Sequence, residues 1–190
     1  MLGSCKSLKL DVGCGPGPKE GYIGVDTQTY NNRKIVKFNL EDIPKKALPF
    51  LDNSVDEIWC AHTLEHVDNP MQCIEEFYRI LKDDGKLIIK VPYFAHHTAN
   101  VPIHKNYWSF RSQMFFDSSY FETHTKWHNL KVSHKWGSSW KGAAINFPFE
   151  LLIHVIGYGL YERFFCYCRP VFEITFEMQK GKELAGVVIE

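Results

Sequence analysis

Eight residues, Leu10-Asp11-Val12-Gly13-Cys14-Gly15-Pro16-Gly17, constrain this chain more than any others. They continue an apolar run of strand length, Leu8–Val12. Glycines at that point let the backbone turn sharply and approach a ligand with no Cβ in the way. A second short apolar run, Tyr22–Val25, leads into Asp26. In an open parallel sheet, ligands sit beyond the carboxyl ends of the strands, where the strand order reverses. A carboxylate at Asp26 can there accept both hydroxyl protons of a ribose, so loop and acid together suggest an adenosine-containing ligand. A dinucleotide fingerprint would need Gly or Ala at position 18, which is Pro. A pyrophosphate also wants a helix N-terminus behind the loop, and the stretch from Gly17 to Asp26 is too short for a helix and a strand. The spacing favours a ligand without phosphates.

Further apolar runs recur at Ile35–Phe38, Val55–Cys60 and Lys86–Val91. They are short, β-branched and nearly continuous, as in strands covered on both faces. Between the last two, Ile74, Phe77, Tyr78 and Leu81 follow helical spacing. Asn69-Pro70 predicts a cap with Pro at the first helical position, and Asp83-Asp84-Gly85 a stop. Residues 1–92 thus read as an open α/β sheet. Pro92–Tyr107 reads as a long loop, Ser109–Phe121 as helical, Leu130–Trp136 as a strand and Pro148–Cys168 as a helix packed on the sheet. Glu150, His154, Glu162 and Arg163 interrupt that last segment and argue against a membrane span. Val171–Met178 alternates apolar and polar residues, predicting an antiparallel strand at or near an edge.

With 190 residues, 45% of them hydrophobic, the chain reads as one domain over 1–190. Its cofactor-binding half is 1–92, and 93–190 is the acceptor half. Lysine plus arginine equals aspartate plus glutamate, at 22 each, which argues against a general nucleic-acid coat protein. The six cysteines contain no Cys-x-x-Cys pair and the first ten residues no secretory run, which points to a reducing cytoplasm. Residues 93–147 differ from the rest, with 6 basic and 2 acidic side chains and six of the nine histidines.

Taken together, LDVGCGPG, YIGVD, FNLEDIP, DNSVDEIWCAHTLEHVDNP and ILKDDGKLIIKVPY resemble the motifs of class I S-adenosylmethionine-dependent methyltransferases. Among these, the chain is similar to small single-domain predicted members. They share a shortened first crossover, a His-Lys-x-x-Trp/Phe-Ser stretch and an aromatic C-terminal helix. The resemblance implies a Rossmann-like, mostly parallel sheet with an antiparallel C-terminal strand. It implies that Gly13 and Gly15 line the methionine end of the cofactor, that Asp26 holds the ribose, and that Asn39 and Leu40 border the adenine. His62 would touch the cofactor through backbone or ring. Asp11 would orient the glycine loop or reach the methionine amino group through water. His62 and His66 equally fit packed histidines, and Glu65 fits a structural role at a turn. Without a helix in the first crossover, the cofactor should be more exposed or covered by the C-terminal helix, and more weakly held.

A sulfonium methyl is already activated, so the enzyme mainly aligns a nucleophile behind it. A hydroxyl acceptor needs a base. His96, His97 and His104 are candidates, and His104, in HKNYWSF, is favoured. Lys105, Arg111, Lys126, Lys131, Lys135 and Lys141 suggest an anionic acceptor, and Trp108, Trp127, Trp136 and Trp140 flat faces for sugar rings or bases. A small or glycan-like acceptor, O-methylated with release of S-adenosylhomocysteine, fits best. A solvated basic surface with buried tryptophans is the competing reading. No metal is expected, because no carboxylate or thiolate completes His96-His97-His104 or His124-His128. The alternatives are a nicotinamide-dependent reductase and a non-catalytic S-adenosylmethionine-binding protein. Homodimerisation through the 148–168 helix stays open.

Overall fold

Seven short runs of apolar residues pair into one sheet because each buries its side chains on covered faces and leaves its backbone groups to neighbouring strands. The computed structural model describes residues 7–116, 125–136, 140–168 and 170–181, the backbone alone for 140–145. The strands are β1 (Lys9–Val12), β2 (Ile23–Asp26), β3 (Ile35–Lys37), β4 (Val55–Ala61), β5 (Leu81–Pro92), β6 (Trp127–Lys135) and β7 (Glu173–Lys180). Their order is β3-β2-β1-β4-β5-β7-β6. The first five are parallel, and β7 runs antiparallel to both β5 and β6. The order reverses at β1, whose neighbours are β2 and β4, so the crevice for a ligand lies above β1 and β4. β7 sits between β5 and the edge strand β6 and buries more than alternate residues, Ile174, Phe176 and Met178 being fully enclosed.

Helix α1 (Pro70–Ile80) provides the β4-to-β5 crossover and buries Cys73, Ile74, Phe77 and Ile80. Pro70 stands in its first turn as expected, but the Asn69 side chain makes no capping hydrogen bond. The helix also ends earlier than Asp83-Asp84-Gly85 suggests. Leu81 already pairs with Val55 across a register shift, so β5 begins there and carries the acidic turn within it. Arg79 binds Glu76, Asp52 and the carbonyls of Leu48 and Phe50, fastening the segment before β4 to the helix. No helix fills the connection from β1 to β2.

The segment after β5 is tied down by short 3-10 turns at His97–Ala99 and Phe110–Phe116. The second turn covers the described part of the stretch expected as a helix over 109–121. Helix α2 (Trp140–Phe164) begins earlier than the expected 148 and breaks at Gly157, whose φ of 75° is non-helical. It buries Ile153 and Tyr161, stacks Tyr158 on Phe110 and meets β6 where the Tyr158 hydroxyl donates to the Val132 carbonyl. Its other face is open: Phe147, Leu151, Val155, Leu160 and Phe164 are exposed. The helix thus packs against the edge strand β6 and the 110–116 turn. None of the described helices is long and apolar enough to cross a membrane.

Candidate active site

The glycine loop leaves β1 through Gly13, at φ +72°, and Gly15, at φ +60°. At Gly13 a Cβ would stand 2.0 Å from Thr63 Oγ1, so the position excludes a side chain on both conformation and space. At Gly15 a Cβ would meet nothing within 4 Å, which leaves open room beside the loop. Two carboxylates hold the loop in this shape. Asp11 Oδ2 accepts from Lys19 N at 2.7 Å, and Asp26 Oδ2 accepts from Gly15 N at 2.8 Å. Asp11 is buried, and that burial raises its pKa. Its geometry is that of a loop anchor, the first of the two roles expected for it.

A cleft of about 280 Å³ opens above the tips of β1, β2 and β4. Gly13, Asp26, Asn39, Leu40 and His62 line it together with Phe38, Thr63 and His66. Five of the expected cofactor positions, scattered over the first third of the chain, thus meet at one place. Gly15 borders them through its bond to Asp26, while Asp11 sits behind the loop. Asn39 Oδ1 accepts from Glu41 N at 3.2 Å and caps the turn Leu40–Asp42, which sets Leu40 against the cleft.

His62 adopts φ 52° just past β4. Its Nε2 lies 2.8 Å from Glu173 Oε2 and its Nδ1 3.5 Å from Glu65 Oε1. Hydrogen bonds to Glu173 and then Glu65 push its pKa up to about 9, and the same contact lowers that of Glu173. His62 is therefore an imidazolium at neutral pH. Glu173 opens β7, more than a hundred residues away, and nothing local in the sequence announces this partnership.

The stretch His104-Lys105-Asn106-Tyr107-Trp108 forms a strap over the turn Leu64–His66. The Glu65 carbonyl accepts from the backbone amides of Lys105 and Asn106, and Asn106 Nδ2 donates to the carbonyls of Leu64 and Val67. Lys105 Nζ binds Glu41 at 2.7 Å and Asp68 at 2.8 Å. This brings His104 against His66, ring centroids 4.7 Å apart. His104 Nδ1 lies 3.1 Å from the Ala99 carbonyl oxygen, which can only accept, so Nδ1 is the donor of that bond. His96 instead caps the turn 97–99 through Thr98, and burial lowers its pKa.

The basic and aromatic residues expected around an acceptor divide. Lys105 is spent on the strap. Trp108 is buried, Trp127 packs edge-on to Tyr78 and Trp136 donates to Glu150, so these three serve packing. Of the rest, the side chains of Trp140 and Lys141, and all of His124, lie outside the described residues. Arg111, with Arg163, Phe94, Tyr107, Ile156, Leu160 and Glu162, lines a second and larger cleft of about 910 Å³ where the chain leaves β5. Arg163 and Glu162 of this cleft lie in the segment read as a plain packing helix.

Comparison with known proteins agrees with this geometry. Residues 10–89 match the family described as methyltransferase domain. An uncharacterised protein of Methanocaldococcus jannaschii is 50% identical over 91 residues, 44% of this chain and 40% of its own length. An uncharacterised 37.1 kDa transposon protein of Streptomyces fradiae is 32% identical over 116 residues, 49% of this chain and 32% of its own length. The chain thus spans less than half the length of these curated relatives. Among solved structures, a SAM-dependent methyltransferase from Archaeoglobus fulgidus superposes with a TM-score of 0.60 at 17% identity, over 93% of this chain and 87% of that one. Sheet order and superposition agree on the fold: the chain has the Rossmann-like, mostly parallel sheet of that structure, and residues 10–89 within it are similar to a methyltransferase domain.

Proposed function

We propose that the chain is a working S-adenosylmethionine-dependent methyltransferase that methylates a hydroxyl of a small or glycan-like, anionic acceptor. The observation that carries this reading is the convergence of Gly13, Asp26, Asn39, Leu40 and His62 on one cleft at the point where the strand order reverses. Asp26 takes the ribose hydroxyls. A carboxylate offers about four acceptor sites; Gly15 N uses one on Oδ2, and Thr27 Oγ1 and Gln28 N share Oδ1 at 3.2 Å each, so Oδ2 keeps room for a ribose hydroxyl. Asn39 and Leu40 border the adenine, and Gly13 and Gly15 flank the methionine end. Asp11 and Asp26 on the loop side favour a sulfonium cation over a pyrophosphate.

In the transfer, the sulfur–carbon bond breaks and leaves its electron pair on sulfur, giving S-adenosylhomocysteine, while an oxygen lone pair of the acceptor forms the new carbon–oxygen bond. The hydroxyl proton goes to a base. His104, whose Nδ1 is engaged by the Ala99 carbonyl and whose Nε2 makes no such bond, suits that role; His62, held between two carboxylates, does not. Arg111 and Arg163, set among Phe94, Tyr107, Ile156 and Leu160, suit an acceptor with an anionic group and an apolar or ring portion. The free thiols of Cys14, Cys60, Cys73, Cys166 and Cys168 support a reducing, cytoplasmic setting.

Thermal melting with S-adenosylhomocysteine and with NADPH tests the cofactor. The homocysteine nucleoside should stabilise the protein, by about 2.7 kcal/mol at a hundredfold excess over Kd, and Asp26→Ala should abolish the shift. Stabilisation by NADPH alone would overturn the reading. Bound nucleoside with no turnover over a broad panel of hydroxylated anions would leave a cofactor-binding protein and no enzyme.

A further inference from the structure

We infer that Glu65, His66 and His104 form a binding site for a first-row divalent cation at the edge of the cofactor cleft. One donor atom from each of these residues lies within 4.8 Å of the other two. Ligands about 2.1 Å from a shared ion stand roughly 3 to 3.5 Å apart, so modest side-chain rotations close the set. One imidazole comes from the turn Leu64–His66 and the other from the strap, whose bonds to the Glu65 carbonyl hold the two in register.

Glu65 is the observation that asks for a ligand. Its side chain is 1% exposed, and Oε1 faces His62, but Oε2 is buried with no hydrogen-bond partner. A buried carboxylate oxygen left in that state is costly, and an ion is one of the few things that relieves it. The imidazoles are already set for the task. His66 Nδ1 lies 3.3 Å from the Ile103 carbonyl oxygen and His104 Nδ1 3.1 Å from that of Ala99. Both Nδ1 atoms therefore donate to backbone and leave Nε2 as the ring atom placed to ligate, the outer arrangement usual for metal-binding histidines. Two imidazole nitrogens and one carboxylate suit Mn²⁺, Fe²⁺, Co²⁺ or Zn²⁺ better than Mg²⁺ or Ca²⁺, which prefer all-oxygen cages. Three protein ligands leave coordination positions open for an outside oxygen.

His66 also lines the cofactor cleft, which puts the site at its border. Ion binding stands on the three side chains alone. Its use in gripping an acceptor oxygen rests on the methyltransferase reading, and it revises the part given to His104. With an ion bound, His104 Nε2 would be a ligand and no longer the base; the cation would acidify the acceptor hydroxyl, whose proton would pass to solvent water. The sequence suggests no metal because Glu65 and His66 are separated from His104 by a helix and a strand.

Calorimetric titration of untagged, chelator-stripped protein with Mn²⁺, Co²⁺ and Zn²⁺, and with Mg²⁺ for comparison, without cofactor, tests the site, with the visible spectrum of the Co²⁺ form as a second readout. We expect one ion per chain, bound at least tenfold more weakly in Glu65→Gln, His66→Gln and His104→Gln, and unchanged in His97→Gln. Circular dichroism identifies any variant that fails to fold, and the half-buried histidine positions carry the test if the buried Glu65 does so. Absence of saturable uptake, uptake of Mg²⁺ in preference to all three ions, or full affinity in both histidine variants would overturn the inference. S-adenosylhomocysteine binding, followed separately, keeps failure of the metal site distinct from failure of the cofactor site.

Discussion

Single residues decide whether the cleft exists at all. Gly13 combines a left-handed backbone with a Thr63 hydroxyl sitting where a Cβ would go. Gly13→Ala should therefore cost about 1–3 kcal/mol in denaturant unfolding and weaken S-adenosylhomocysteine binding in parallel. The open space at Gly15 predicts a milder effect there, from φ alone. His62 makes a pH prediction. Its pKa is about 9 in the folded chain against about 6.5 unfolded, so its pairing with Glu173 stabilises fully below pH 6.5 and fades as pH rises through 9. The ring is 46% exposed, so solvent screening holds the effect to about 1 kcal/mol. Thermal midpoints measured from pH 6 to pH 10 should fall over that window, and less steeply in Glu173→Gln.

At the scale of elements, legibility followed range. The parallel strands and α1 were readable because apolar period and turn residues are local signals, and the glycine loop with Asp26 was readable because ligand geometry dictates its spacing. The interior place of β7, the pairing of His62 with Glu173 and the meeting of His66 with His104 depend on which distant segments lie side by side, which periodicity does not encode. α2 packs on β6 as its apolar composition suggests, but the exposure of Phe147, Leu151 and Val155 is not announced by composition. The strap is the element most open to test. Asn106→Ala removes two hydrogen bonds to the turn Leu64–His66 and its flank, and should destabilise by about 1–2 kcal/mol. In the transferase reading its loss of kcat should exceed its loss of S-adenosylhomocysteine affinity, because Asp26 and the glycine loop are untouched.

For the molecule as a whole, the missing helix between β1 and β2 leaves the cofactor side of the sheet guarded by the loop alone. A dissociation constant for S-adenosylhomocysteine in the micromolar range is expected by calorimetry, and a low nanomolar value would contradict it. The seven strands close only when a late segment slots between β5 and β6, since β7 hydrogen-bonds along both. While a ribosome is still adding the residues from Pro92 to Glu173, β5 has no neighbour on that flank, and Leu87, Ile89 and Val91 sit on a naked border. Such borders recruit strands from other chains. Prematurely terminated copies are thus the form of this protein most prone to clump, and the supply of holdase chaperones during translation bears directly on its yield.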